Sequence, residues 1–328
     1  MSRTFADAHA PADPRAAGGR AKSLKQRIAP FLVVGAIALA GFLLWRTLRQ
    51  YSFDEIVASV LAVQPSRLAA AAGFAAASYV CLTFFDFMAV RYAGTPLPYR
   101  RTAIASFCAL SLGHNLGFAA VSSGAIRYRF YSRFGLSTGQ VAKVILFCGL
   151  TVGLGLMILA GIALSLQPTL AAEIAGLDPA IARMLGLACL AAAGIYLVLC
   201  ATVRGRLTIR GWSLEMPPLR LGLGQVLIGP LNFACVAACL HQALASAADV
   251  SYFAVASVYV TGNVAALITH VPGGLGVLEA TVIYLLPGAN FIGALLVFRF
   301  VYFLVPLAIG GPTFAAIELR LRHRKRRR

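Results

Sequence analysis

The stretch Val144–Leu166, VILFCGLTVGLGLMILAGIALSL, decides the fold: it contains no charged residue from end to end. A helix that is apolar on every side offers no face to water, and about 20 such residues cross the hydrocarbon core of a bilayer. Outward from it, five further stretches are mostly apolar over a membrane-spanning length: Ile28 to Trp45, Leu68 to Val90, Met184 to Val203, Leu221 to Leu244 and Phe291 to Phe314. Two more, Ile104 to Ile126 and Tyr252 to Leu286, are apolar but hold Gly, Pro and ionisable residues together. The composition agrees, with 59% hydrophobic and 12% charged residues, where soluble domains carry about 25% charged. The expected fold class is an all-α polytopic membrane protein without a soluble catalytic domain.

A net charge of +18 in a soluble protein would point to nucleic acid, but in a membrane protein the charges must first be sorted by side. Lys22, Lys25 and Arg27 precede the first span, and His323, Arg324, Lys325, Arg326, Arg327 and Arg328 follow the last. Both clusters read as cytoplasmic anchors near anionic headgroups, each basic residue there contributing about 1 kcal/mol. Residues 1–27 then form a basic cytoplasmic tail, 28–314 the transmembrane domain and 315–328 a polybasic cytoplasmic tail. The first apolar stretch shows no small-residue cleavage pattern before Arg46, so it reads as a retained helix. All seven cysteines fall in apolar segments and read as small hydrophobes.

With the N-terminus inside, the loops around Arg91, Arg100 and Arg101 and around Arg204, Arg206, Arg210 and Arg220 fall on the cytoplasmic side. The loops with Asp54 and Glu55 and with Glu173 and Asp178 fall outside. The segment from Arg101 to Arg127, Arg129, Arg133 and Lys143 is basic on both flanks, so it should enter and leave on one side as a hairpin. The segment after Asp249 must return to the outer side near Asn290 and should be a second hairpin, entered from the opposite face. About six full spans and two re-entrant or broken-helix hairpins result. They are arranged as two inverted halves, about 28–166 and 184–314. The expected tips are Ser122-Ser123-Gly124-Ala125-Ile126 and Pro272-Gly273-Gly274-Leu275-Gly276. Pro removes a backbone donor and Gly weakens a helix, and the freed polar groups are tolerated only where protein or a watery cavity covers them.

An ionised side chain at the bilayer centre costs about 2.5 to 3.5 kcal/mol on insertion scales, so each one needs a partner or a cavity. The candidates are Asp86, His114, Arg127, Arg129, His270, Glu279 and Arg299, with polar Asn115, Asn232 and Asn263 beside them. Arg127 and Arg129, two residues apart, cannot share one helix face. Two readings stand side by side. In one they are headgroup ligands, because a planar guanidinium can give a phosphate two parallel hydrogen bonds. In the other they are inside-positive flanking charges, and under either reading Tyr128 and Tyr131 fit the interfacial aromatic belt. Glu279 is read either as a substrate or relay group or as a carboxylate neutralised by protonation or by Arg299. Asp86 and His114 can pair in the same way, but a His in an apolar helix is more often a packing residue. No P-loop, H-E-x-x-H, nucleophile elbow or metal-ligand spacing is present in the sequence, so no enzyme activity, cofactor or metal is expected.

At Ser123-Gly124-Ala125-Ile126-Arg127-Tyr128-Arg129-Phe130-Tyr131-Ser132-Arg133-Phe134-Gly135-Leu136 and at His270-Val271-Pro272-Gly273-Gly274-Leu275-Gly276-Val277-Leu278-Glu279, the chain resembles the lysylphosphatidylglycerol synthase membrane-domain (MprF flippase-like) family. The likeness is to its stand-alone, YbhN-type branch. The resemblance implies a lipid-handling module that lacks the aminoacyl-tRNA-dependent synthase domain of the longer members. Its partner would be a membrane phospholipid, anionic or of modified phosphatidylglycerol type, and not nucleic acid. An envelope lipid enzyme and a homo-oligomer stand as further candidate partners. The substrate-binding set expected is Ser123, Gly124, Arg127, Arg129, His114, Asn115, Pro272, Gly273, Gly274, Gly276 and Glu279.

Overall fold

The chain's own capping chemistry starts several of its helices. The computed structural model describes residues 53–116, 119–169, 178–203, 206–209, 212–269, 274–286 and 290–326. After a short α1 (Phe53–Ala62), α2 (Pro65–Tyr92) opens with proline in its first turn, where the missing N–H costs nothing. The interrupted region holds α3 (Tyr99–Leu116) and α4 (Ala119–Arg133). A capping box starts α5 (Thr138–Leu166): Ser137 Oγ accepts from Gln140 N at 3.3 Å, and Gln140 Oε1 accepts from Ser137 N at 2.8 Å. Asp178 caps α6 (Pro179–Thr202), accepting from Ala180 N at 2.8 Å. There follow α7 (Leu219–Leu244), α8 (Tyr252–Thr269), α9 (Val277–Leu285) and α10 (Ile292–Arg299). A π-helical turn, Phe300–Leu304, then leads into α11 (Val305–Arg326).

Among the described residues, five helices are long and apolar enough to cross a membrane: α2, α5, α6, α7 and the continuous run Ile292–Arg320. These are five of the six clear spans expected from hydropathy, and the protein is a multi-pass, essentially all-helical membrane protein. The first expected span, Ile28 to Trp45, and the N-terminal tail lie outside the described residues. Among the described residues, the exception to all-helical structure is a small antiparallel pair, β1 (Arg206–Ile209) with β2 (Trp212–Glu215), in the loop between α6 and α7.

Glycine sets the closest helix approaches. A Cβ on Gly155 would lie 2.6 Å from the carbonyl carbon of Gly229, so α5 and α7 cross where neither has a side chain. Gly161 and Gly186 do the same for α5 and α6, a Cβ on Gly161 meeting the Gly186 oxygen at 3.0 Å. In lipid, where burial of apolar surface gives little advantage, such small-residue contacts and interhelical hydrogen bonds hold helices together. Buried Gln225 supplies the latter, donating to Thr151 Oγ1 at 2.8 Å and accepting from Tyr196 OH at 2.5 Å.

Two faces of the bundle separate by charge. Tyr92 OH donates to the Glu215 carbonyl at 2.5 Å, Lys143 pairs with the Glu215 carboxylate, and Gln140 Nε2 donates to Thr95 Oγ1 at 2.6 Å. These bonds gather the end of α2, the start of α5 and the loop before α7 on one face, the one carrying Arg91, Lys143 and Arg220. At the other face His241 meets the Val250 carbonyl at 3.0 Å, and a Cβ on Gly293 would lie 3.2 Å from Ser59 Oγ. The end of α7, the start of α8, the start of α10 and α1 meet there.

The two interrupted segments are both helix pairs. For α3 and α4, a Cβ on Gly113 would lie 2.8 Å from Ser123 Cβ, and the Arg101 guanidinium sits 5.7 Å from the Phe134 ring centre. The helices are therefore antiparallel, and the start of α3 lies beside the end of α4. The expected tip at Ser122–Ile126 is displaced, because those residues lie inside α4 and the interruption comes earlier, after Leu116. Gly124 there serves packing rather than a turn, since a Cβ on it would meet Ile145 of α5 at 3.2 Å. In the second pair Gly262 of α8 packs on Leu278 of α9, and the chain reverses through Gly274 (φ 59°) and Gly276 (φ 79°), left-handed conformations that glycine takes without strain. Expected tip residues Pro272 and Gly273, with His270, lie outside the described residues.

Candidate functional site

Helix α4 presents two rows of residues spaced by four, and each row meets a different partner. Ser123, Arg127 and Tyr131 form the inner row and face Asp86 of α2. Arg127 Nε donates to Asp86 Oδ1 and Nη2 to Oδ2, both at 2.8 Å, a bidentate pair. Tyr131 OH donates to Oδ1 at 2.6 Å and Ser106 Oγ to Oδ2 at 2.7 Å, while Arg127 Nη1 donates to Ser123 Oγ at 3.0 Å. Asp86 is 0% and Arg127 6% exposed at the side chain. Four donors fill the lone-pair sites of the carboxylate, which is the condition under which a charge tolerates such burial.

Arg129 and Arg133 form the second row and meet Glu318 of α11. Arg129 Nε donates to Glu318 Oε2 at 2.9 Å while its Nη2 bonds Oε1, and Arg133 donates Nη1 to Oε2 and Nη2 to Oε1, both at 3.0 Å. Phe130, between the rows, packs on Phe314 of α11 at 5.8 Å between ring centres. The carboxylate side chain is 6% exposed, whereas Arg129 is 20% and Arg133 35% exposed.

At the second interruption, Arg299 of α10 donates Nε to Glu279 Oε1 at 2.7 Å and Nη2 to Oε2 at 3.0 Å. The same Nη2 donates to the Gly274 carbonyl at 3.0 Å, and Glu279 Oε2 accepts from Gly276 N at 2.9 Å. The ion pair therefore grips the backbone of the turn itself. Arg299 also lies over the Phe303 ring, 4.8 Å from its centre.

The π-helical turn joins these regions. A π turn does not match the carbonyl spacing of the helix around it, and such turns recur at functional sites. Here the Tyr302 carbonyl accepts from Tyr79 OH at 3.4 Å and the Phe303 carbonyl from Asn115 Nδ2 at 3.5 Å. Tyr302 OH lies 3.0 Å from Ser78 Oγ, which donates to Asn232 Oδ1 at 2.7 Å. His114 stacks near Tyr302 at 6.4 Å and stands 6.3 Å from both Tyr79 and Phe303, and its buried Nδ1 has no hydrogen-bond partner among the described residues. Arg299, just before the π turn, holds the second interruption; Asn115, at the end of α3, reaches the same turn from the first.

No family model matches the chain. Two curated relatives align along most of it. An uncharacterized protein of Synechocystis, slr0712, is 30% identical over 285 residues, 86% of this chain and 88% of the relative. The inner membrane protein YbhN of Escherichia coli K12 is 30% identical over 281 residues, 84% of this chain and 83% of the relative. The chain belongs to the YbhN family. It is thus a YbhN-like inner membrane protein, with the multi-pass architecture described above.

Against that architecture the expected site residues fall into groups. Ser123 and Arg127 meet at Asp86; Arg129 joins Glu318; His114 and Asn115 lie at the π turn; Gly274, Gly276 and Glu279 meet at Arg299. Gly124 lies in the α4–α5 contact. Asp86 pairs with Arg127, whose fork gives both carboxylate oxygens a hydrogen bond, and not with His114, which packs among Tyr79, Tyr302 and Phe303. Tyr131 is fully buried on Asp86 and not in an aromatic belt, whereas Tyr128, 43% exposed, fits that position. The reading of Glu279 as a carboxylate neutralised by Arg299 matches the observed pair. Glu318 and the paired use of Arg133 went unread in the sequence. The available signal was the four-residue spacing of Arg129 and Arg133 together with Glu318 as the single acidic residue after Glu279.

Proposed function

We propose that the chain is a flippase-like phospholipid translocase that moves a phosphate-bearing headgroup, anionic or of modified phosphatidylglycerol type, between leaflets and carries out no synthase chemistry. The passage runs between two inverted halves, about 28–166 and 184–314, with the helix pairs α3–α4 and α8–α9 entering from opposite faces and both termini cytoplasmic. One observation carries the reading: each interrupted helix pair is held by a buried ion pair, Asp86–Arg127 or Glu279–Arg299, and one π turn is met from both helix pairs, by Asn115 of the first and by Arg299, which holds the second. Buried charge at membrane depth is expensive and is found where cargo or ions pass.

In this reading Arg127 and Arg129 are the headgroup ligands, Arg129 from the basic face and Arg127 at depth beside Ser123, where it exchanges Asp86 for the phosphate. Gly124 lets α4 close on α5, His114 and Asn115 border the passage, and Pro272, Gly273, Gly274 and Gly276 form the second break, where Glu279 balances charge. An anionic headgroup leaving water must be matched by such donors, or desolvation excludes it. Purified protein reconstituted with a fluorescent phospholipid should exchange it between leaflets faster than empty vesicles do, and Arg129→Glu should slow the exchange. Wild-type exchange no faster than empty vesicles counts against the reading.

The internal pairing of Asp86, Arg127, Glu279, Arg299 and Glu318 favours a second reading, a non-transporting scaffold for lipid or for an envelope lipid enzyme. There Arg129→Ala leaves exchange unchanged and weakens co-purification with that enzyme.

A further inference from the structure

The second row of α4 has the composition and geometry of an anion clamp. Two guanidinium forks converge on one carboxylate, each giving both of its oxygens a hydrogen bond. Two arginines and one glutamate leave a net positive charge at the cluster. The charge is not evenly placed, since the carboxylate is 6% exposed and the arginines are 20% and 35% exposed. The nitrogens that make no hydrogen bond to Glu318 are Arg129 Nη1 and Arg133 Nε, both on these more exposed side chains. The two non-bridging oxygens of a phosphodiester are spaced much like those of a carboxylate, so the forks that hold Glu318 can hold a phosphate. The setting suits a lipid. Tyr128, one residue before Arg129, is exposed, Phe130 and Phe314 are buried beneath, and Arg101 lies over Phe134 at the same end of α4.

We propose that Arg129 and Arg133 form a docking clamp for the phosphodiester of an anionic glycerophospholipid, and that Glu318 is the internal anion that the phosphate displaces. This rests on the reading that the chain handles a lipid headgroup, and it adds the residues at which that headgroup is first held. Glu318 keeps the two forks converged on one point and partly desolvated when no lipid is bound, at the cost of competing with the cargo. A tie serving only to fasten α4 to α11 has no dependence on lipid charge, which separates the two roles.

The test uses full-length protein in nanodiscs of phosphatidylcholine doped with phosphatidylglycerol, extracted gently, with retained lipids quantified by mass spectrometry. Glu318→Gln should raise the retained ratio of phosphatidylglycerol to phosphatidylcholine roughly tenfold, the effect of freeing one charge-assisted hydrogen-bond set. The combined Arg129→Gln, Arg133→Gln, Glu318→Gln variant removes all three charges without stranding one, and should abolish the enrichment while remaining folded. Inorganic phosphate in excess should leave the enrichment in place, because acyl chains add to the lipid's hold; displacement by phosphate would reassign the clamp to a free anion and overturn the lipid assignment. Equal ratios in wild type, Glu318→Gln and the triple variant overturn the clamp. If leaflet exchange is absent while enrichment follows the expected order, translocation fails and the clamp stands. If exchange proceeds while enrichment ignores all three residues, the clamp alone fails.

Discussion

The two interrupted helix pairs are fastened by the same chemistry, an arginine fork on a carboxylate, but the forks hold different things. At the first, Asp86 and Arg127 meet side chain to side chain, with Tyr131 and Ser106 completing the carboxylate's bonds. Among the described residues these bonds run between side chains of α2, α3 and α4. At the second, Arg299 and Glu279 hold the turn itself, through the Gly274 carbonyl and the Gly276 N–H. The first tie decides where a helix pair sits against α2; the second decides the path of the backbone. A buried charge can therefore serve as a bolt between helices or as a former for a turn, and the two uses respond differently to substitution.

The largest effect is expected at the bolt. Asp86→Ala strands Arg127 in the interior and should cost about 3 to 5 kcal/mol, read as loss of folded protein and a lowered thermal midpoint in detergent. Joint replacement by Asp86→Leu and Arg127→Met should recover most of that loss, because a well-packed apolar pair replaces a buried ionic one at little cost. If Asp86→Ala unfolds no more readily than wild type, the pair is not what holds α4.

A smaller and more local effect is expected at the former. Glu279→Ala should cost roughly 2 kcal/mol and raise amide exchange at residues 274–280, since both Arg299 and the Gly276 N–H lose an acceptor. Glu279→Gln keeps an acceptor for that N–H, as a capping box allows, and should show clearly less exchange than the alanine variant. Equal exchange in the two variants would show that the carboxylate's charge alone shapes the turn. The smallest effect is at Lys143, whose pairing with Glu215 is exposed and solvent-screened; Lys143→Ala should change stability by no more than about 0.5 kcal/mol.

Spans were legible in the sequence because a membrane helix must be apolar along its whole length, a signal that needs no partner to interpret. The pairing of charges was legible in part. Arg299 and Glu279 could be read as neutralising one another, and Arg127 and Arg129 as facing apart, because two residues along a helix turn a side chain to another face. Asp86 with Arg127 was not read, since 41 residues separate them and only the packing of α4 on α2 brings them together. The first break was read a few residues late. Ser122, Ser123 and Gly124 are weak helix formers, but in α4 their small size is used for contact with Gly113 and Ile145. A run of small residues signals a helix contact as readily as a turn, and local sequence does not separate the two. Glu318 was passed over because it sits among tail arginines, where a single acid is lost in the charge of its neighbours.

The proposed passage needs each interrupted pair to begin and end on one face, and the two pairs to use opposite faces. In a cysteine-free background, single cysteines at Arg100 and Ser132 and at Ser251 and Asn290 can be challenged from either side of a sealed membrane with an impermeant thiol reagent. The account expects the first two to react from one side and the second two from the other. Labelling of Arg100 and Ser132 from opposite sides, or of Ser251 and Asn290 from opposite sides, would contradict it.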